Sequence, residues 1–313
     1  MTAALQVRTL PIAEPRTRAP RSPARRREGL TAFLFLAPFL VVYLLFLVYP
    51  FFKGIWISLH DWDLMDDSLR EWWGFLNYAD LWADPIFWQA TRNTLYFVVL
   101  TVPSMTILSL LLALAVSGGG RIRAVCRTIF LMSSVFSVTV VTLIWTMVLS
   151  TDRGLIAPVF QALGFEPINF LGSPTWAMPS LTVTTLWWGV GLPMALFLAA
   201  LGAIPRELYE AAELDHASRW TVFWRITLPS IRHTLVLVLI LQIVGQFQIF
   251  GQAQLMTNGG PSGMTRTLVL YIYDTAFRDW LVGYAAAIAL ALFAMMFLFS
   301  MLQLWLGRRG EES

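Results

Sequence analysis

Glu210-Ala211-Ala212-Glu213-Leu214-Asp215-His216-Ala217, running on through Phe223, Ile226, Leu228 and Pro229, is a polar island between two long apolar segments. It carries too many charges to sit in lipid. Pro205 suits the first turn of a helix, where its missing N–H costs nothing. From Glu207 to Asp215 the residues are good helix formers, and Leu208, Ala211, Ala212 and Leu214 recur so as to give one side a small apolar face. His216 is a stop signal, because a histidine takes a positive φ more readily than a β-branched residue. A second short helix is expected from about Ser218 to Ile226, ended by Leu228-Pro229. The stretch therefore reads as a helix-turn-helix at a membrane surface, offering small alanines and a row of acids to something outside the bilayer.

The apolar segments on either side settle the class. The chain has 313 residues, 57% of them hydrophobic and 13% charged, and long uncharged runs mark an all-α membrane protein. Six spans are expected, at about 31–52, 93–117, 128–150, 177–201, 233–256 and 282–306, each long enough for a ~30 Å hydrocarbon core. With the N-terminus inside, sixteen of the 22 Lys and Arg fall on one side, which puts both termini and the Glu210 loop in the cytoplasm. Residues 1–29, rich in Arg, Pro and Ala, read as a disordered basic tail, and 307–313 as a short cytoplasmic tail. The first apolar run is too long for a signal peptide and lacks an A-x-A-like exit.

Several chemistries are excluded. The basic groups lie at membrane borders rather than along a groove, so nucleic acid is not a partner. Cys126 is the only cysteine, which rules out an internal disulfide or a cysteine metal cluster. The sole lysine, Lys53, follows Phe and precedes Gly, so no G-x-x-x-x-G-K-[ST] exists and an ATP-driven process would need its ATPase on another polypeptide. None of the six spans has an acid or base in its middle, which opposes an ion-coupled secondary transporter. His60, His216 and His233 lie at borders or loops and no G-x-S-x-G is present, which opposes a membrane-embedded hydrolase.

The polar content within the spans suggests a route. Ser133, Ser134, Ser137, Thr139 and Thr142 in the third span either line a path or bond backbone carbonyls between helices. Trp187-Trp188-Gly189-Val190-Gly191-Leu192-Pro193 in the fourth marks close approach or a local break, and an indole beside it is either core packing or the floor of a sugar site. The fifth span carries Gln242, Gln246, Gln248, Gln252 and Gln254. Gln242 and Gln246 are four apart, as are Gln248 and Gln252, which gives two polar lines. Uncharged amides suit hydroxyl-rich solutes; each can equally hold helices together. Met256-Thr257-Asn258-Gly259-Gly260-Pro261 follows at the outer end. Between the first two spans, Trp56, Trp62, Trp72, Trp73, Trp82 and Trp88 accompany Asp61, Asp63, Asp66, Asp67, Glu71, Asp80 and Asp84, as an interfacial belt or the rim of a docking surface.

The run E-A-A-E-L-D-H-A-S-R-W-T-V-F-W-R-I-T-L-P at 210–229 resembles the EAA loop of binding-protein-dependent ABC importer permeases, whose pattern is E-A-A-x-x-D-G-A-x-x-x-x-x-F-x-x-I-x-L-P. The one departure is His216 where the family has Gly. Gly74-Phe75-Leu76-Asn77-Tyr78, Asp84-Pro85, Phe87-Trp88, Arg92-Asn93-Thr94, the Trp187–Gly191 element and Asn258-Gly259-Gly260-Pro261 resemble the sugar-type members, and in particular the first of the two permeases in importers of maltose-like sugars, lactose, other oligosaccharides or glycerol phosphate. The resemblance covers about residues 30–306, with a core near 89–306. It implies a type I ABC importer transmembrane domain, not itself an enzyme, in a bacterial inner membrane. Residues 203–231 would form the coupling loop. Its implied partners are a second homologous permease, two ATPase subunits that use ATP and Mg, and an extracytoplasmic solute-binding protein. The chain itself would hold no cofactor or metal. Glu210 would be the charged contact with the ATPase, Ala211 and Ala212 the surface of close approach, Asp215, His216 and Ala217 the turn, and Phe223, Ile226, Leu228 and Pro229 the residues fixing the loop to the spans. The third span lacks the proline that many relatives carry near Met132 or Ser133, so less kinking is expected there. A carbohydrate is the implied substrate, with glycerol phosphate or a polyol as the alternative.

Overall fold

The computed structural model describes residues 23–63, 65, 70–152 and 154–309. Residues 1–22 of the expected tail, 310–313, Asp66, Asp67 and Arg153 lie outside the described residues. The chain divides into two units, Met1–Lys53 and Gly54–Ser313. In the first, helix α1 (Pro23–Tyr43) begins inside the stretch expected to be tail, helped by a proline in its first turn and by Ala and Arg. A π-helical turn (Leu44–Val48) leads into α2 (Tyr49–Ser58), and the large apolar side chains from Phe33 to Phe52 are exposed almost throughout.

In the second unit a two-residue hairpin, β1 (His60–Asp61) and β2 (Glu71–Trp72), precedes α3 (Leu76–Ala83). Helix α4 (Pro85–Val116) starts with Asp84 as its cap, the carboxylate accepting from the Ile86 N–H at 2.7 Å, and with proline in the first turn. It is the central strut. Phe87, Ala90, Thr94, Phe97, Thr101, Met105, Ser109 and Ala113 form its buried face at helical spacing, while Val99, Ile107 and Leu111 are exposed opposite. Around it pack α8 (Ala177–Gly189), α9 (Gly191–Gly202), α13 (Arg232–Phe247) and α14 (Leu268–Phe277); α15 (Val282–Arg309) in turn packs on α13 and α14.

Among the described residues, three helices are long and apolar enough to cross a membrane, Phe33–Ser58, Pro85–Val116 and Val282–Trp305; counting each of three bent pairs as one span raises the number to six. The bends correct the expected spans. The third does not run straight over 128–150: α5 (Arg121–Ser133) and α6 (Val138–Val148) meet at 101°. Proline is not needed there, because Ser137 caps α6 by accepting from the Val140 N–H and so supplies a fresh helix start. The fourth bends by 50° at Val190, between α8 and α9, where close approach or a local break was expected. The fifth does not reach 256 as one helix. It stops at Phe247, and a separate helical piece ending in a π-helical turn (Ala253–Thr257) follows.

Between α9 and α13 lie α10 (Arg206–Leu214), α11 (Arg219–Val222), a π-helical turn (Phe223–Thr227) and α12 (Leu228–Ser230). Pro229 does not end this second helix as expected. The π turn, in which the Leu228 N–H reaches the Phe223 carbonyl five residues back, has already shifted the bonding frame, so the missing proline N–H is tolerated and the helix stops at Ser230. The remaining helix, α7 (Ala157–Ala162), lies in the loop after α6.

Candidate functional site

The α10–α11 hairpin is built by local rules. Glu207 sits in the first turn of α10, where an acid is favoured by the exposed N–H groups. At the other end the His216 N–H donates to Glu213 O at 3.0 Å and the Ala217 N–H to Ala212 O at 2.9 Å. With His216 at φ +52°, that pair of bonds is a Schellman stop closed by histidine in place of glycine. Ser218 then caps α11, its Oγ accepting from the Thr221 N–H at 3.2 Å.

One side of the hairpin is fixed and the other is free. Tyr209, Phe223 and Leu228 pack with Ile204, Ile231, Val116, Met194 and Phe197, a core shared with α4, α9 and α13. Tyr209 and buried Thr227 add a hydroxyl pair at 3.2 Å. Of the four residues expected to anchor the loop, Phe223 and Leu228 do so. Ile226 instead borders a groove and Pro229 is exposed. The groove, about 450 Å³, is lined among others by Leu208, Ala211, Ala212, Asp215, Ala217 and Ile226. Glu210 and Ala211 are exposed and Ala212 is buried, so the alanines share one wall. Two large apolar side chains of the hairpin stay exposed, Leu214 at 82% and Trp220 at 70%; sequence reasoning gave Trp220 no role. Trp220 packs edge-on to Trp224 at 5.5 Å.

Several residues of the second expected group lie near three interruptions of the helices, at 134–137, at Val190 and at 248–250. Ser133 and Ser134 both donate to Trp188 O, at 3.3 and 3.1 Å, and Trp188 Nε1 donates to Phe136 O at 3.0 Å. Gly191 lies so close to α5 that a Cβ there would stand 2.5 Å from Phe130 O. A Cβ on Gly251 would stand 2.5 Å from Val138 Cγ2. Buried Gln252 donates to buried Thr185 at 3.2 Å. Interrupted helices free backbone groups, and here neighbouring helices answer them.

Ser133, Ser134 and Thr142, which donates to Val138 O at 2.8 Å, therefore bond backbone carbonyls, while Ser137 accepts from the Val140 N–H as the cap of α6. Trp187 is half exposed and edge-on to Trp145 at 6.1 Å. Gln242 accepts from Gln246 at 2.9 Å. Gln248 and Gln252 do not form the second polar line expected of them. Gln248 caps α13 and touches Met296 Sδ at 3.8 Å, whereas Gln252 turns to Thr185 beyond the break. Asn258 is exposed, at φ +48°, and accepts from Arg278 at 3.3 Å.

Two anchors outside the expected residues position these groups. Arg127 donates to Val116 O through Nε at 2.9 Å and to Gly118 O at 2.8 Å, closing the C-terminal end of α4. Asn93 donates to Gly263 O at 2.7 Å and Arg266 O at 3.0 Å, holding the loop after Pro261. Asn93 stands within the quoted Arg92-Asn93-Thr94 run, so a signal existed without a stated role.

A family described as the binding-protein-dependent transport system inner membrane component matches residues 93–311. The lactose transport system permease protein LacF of Rhizobium radiobacter is 32% identical over 93% of this chain and 98% of its own length. The sulfoquinovosyl glycerol transport system permease protein SmoG of Agrobacterium fabrum is 33% identical over 86% and 87%. Among solved structures, a chain of the bacterial alginate ABC transporter in complex with alginate pentasaccharide-bound periplasmic protein superposes with a TM-score of 0.80, at 23% identity and covering 91% of this chain and 96% of that one. The fold is shared.

Proposed function

The chain belongs to the binding-protein-dependent transport system inner membrane components, and we propose that it is the permease subunit of an ATP-driven importer for a carbohydrate. The sugar-derived substrates in the names of LacF and SmoG support the substrate class, as do the uncharged amides and indoles near the helix breaks. The reading has six spans with both termini cytoplasmic. It also has a second homologous permease, two ATPase subunits using ATP and Mg, and an extracytoplasmic binding protein that delivers the solute. The path would pass the breaks, bordered by Gln242, Gln246, Gln248, Gln252, Trp187, Trp188 and Asn258.

The observation that carries the proposal is the two-sided hairpin. Its inner face is packed into the span core through Tyr209, Phe223 and Leu228, while Glu210, Leu214 and Trp220 stay exposed. A short helix held this way cannot absorb a displacement applied at its free face, so closure of an ATPase dimer would be passed on to the spans as alternating access.

Glu210→Arg is the test. Glu210 is exposed and outside the core, so the variant should reach the membrane and assemble, yet lose uptake and substrate-stimulated ATP hydrolysis. Unchanged uptake would overturn the coupling role. A panel of sugars, polyols and glycerol phosphate, screened for stimulated hydrolysis, reads the substrate class directly.

A further inference from the structure

A cavity far in sequence from the hairpin is left unused by the transport reading. It has a volume of about 280 Å³ and is lined by Asp61, Trp62, Trp73, Asn77, Asp80 and Tyr284, with Leu281. That is just below the ~300–1,000 Å³ of pockets for whole drug-sized ligands, so it suits one small head group.

Its walls are fixed. The Val282 and Gly283 N–H groups donate to Trp62 O at 3.0 and 3.2 Å, and Asp63 and Leu281 form an antiparallel bridge. Gly283 allows this contact because a Cβ there would stand 2.1 Å from His60 O. Buried Asn77 donates to both Ser58 O and His60 O at 2.9 Å. Tyr284 is held by its hydroxyl, which donates to Asp84 at 2.8 Å. These bonds hold the Trp62 backbone and the Tyr284 ring at the cavity.

The charges are what single it out. Among the described residues, neither Asp61 nor Asp80 has a side-chain hydrogen bond or ion pair. Burial, with Glu71 and Asp63 nearby, pushes the Asp61 carboxyl above the ordinary carboxylate range. Indole faces attract cations through their quadrupole, and the loop already uses that attraction: the Arg70 guanidinium lies 3.8 Å from the centre of the Trp62 ring. Two indoles, a phenol and two carboxylates that have no hydrogen-bond or ion-pair partner among the described residues complement positive charge rather than a neutral ring.

We propose that this cavity binds the head of an organic cation, a primary ammonium or a guanidinium group, between Trp73 and the carboxylates of Asp61 and Asp80. The head belongs either to a free solute or to a basic side chain of a docked protein.

The test uses the full-length chain in lipid nanodiscs and ligand-observed NMR with n-butylammonium and methylguanidinium. Methyl glucoside and n-butanol serve as neutral controls. Both cations should bind and both controls should not. Asp61→Asn/Asp80→Asn together, and Trp73→Leu separately, should each weaken binding by about tenfold or more. Thermal unfolding run in parallel establishes that each variant is folded. Should the double variant fail to fold, Asp80→Asn alone, at an exposed position on α3, takes its place with the same expected direction.

Neutral probes binding as well as the cations, or a folded variant retaining full affinity, overturns the proposal. Uptake measured without added amine separates the sources. The double variant slows uptake when a docked protein carries the head, and leaves it unchanged when a solute does. The binding measurement needs no transport, so its failure is distinguishable from failure of the importer reading.

Discussion

The indole Nε1 of Trp188 donates to the backbone carbonyl of Phe136 at 3.0 Å, which ties the break of the fourth bent segment to that of the third. Ser133 and Ser134 return the connection by donating to the carbonyl of Trp188 itself. Two interrupted helices thus supply each other's missing backbone partners. Trp188→Phe keeps the ring and removes the donor, leaving Phe136 O unanswered. The expected cost is about 1–3 kcal/mol, read as a lower thermal midpoint in detergent; an unchanged midpoint would show that solvent or lipid takes over.

Glycine at the breaks is required by proximity. A Cβ at 251 meets the Val138 side chain, whereas a Cβ at 191 meets backbone at Phe130. Gly191→Ala should therefore destabilise by about 1–3 kcal/mol with no easy relief. Gly251→Ala should be relieved in part by adding Val138→Ala. Thermal unfolding of the two singles and the double checks both, and no rescue by Val138→Ala would remove the contact as the cause.

His216 stands at φ +52° in the hairpin stop. His216→Gly should leave uptake intact, because glycine occupies that region without a Cβ penalty. His216→Val should lose about 1–2 kcal/mol locally and lower uptake. A dead His216→Gly in the same assay would show that the imidazole has a role of its own.

Asp84 joins three helices. Its carboxylate caps α4 and accepts from Tyr271 at 2.5 Å on α14 and Tyr284 at 2.8 Å on α15. Asp84→Asn weakens charge-assisted bonds worth about 1.5–3 kcal/mol each. It should lower the thermal midpoint more than Tyr284→Phe does. The reverse order would mean that the clamp is held by packing alone.

Arg127 was legible only as one more basic residue at a membrane border. In the structure its guanidinium crosses from α5 to the C-terminal carbonyls of α4. Arg127→Lys should restore only part of the stability lost in Arg127→Ala, since a point charge cannot match a fork of donors. Equal midpoints for Lys and Arg would reduce the contact to charge.

The hairpin could be read closely because it is decided by neighbours in the chain. Proline at 205, helix formers from 207, a histidine able to turn at 216 and a serine cap at 218 act over a few residues. The Glu210-to-Pro229 spacing also carried the family resemblance. Of the residues expected to fix the loop, Phe223 and Leu228 face the core, while Ile226 borders the groove and Pro229 is exposed; the π turn between them is not encoded in hydropathy. The bend at Ser133–Val138 was misjudged on the absence of proline, and the glutamines at 248 and 252 were aligned on a helix that in fact stops at Phe247.

By itself, then, the sequence determined what the solvent dictates: a membrane chain of long apolar helices, with one charged loop that lipid could not accept, and the local stops and caps of that loop. Only the tertiary structure decided where the helices break and which carbonyls those breaks expose. It also decided that Trp62, Trp73, Asp61 and Asp80 enclose one cavity. The physical reason is that burial in lipid leaves a freed backbone group no partner but another span. Where a helix can afford to stop is therefore set by neighbours distant in the chain, as Ser133 is from Trp188, 55 residues away, rather than by the residues at the stop.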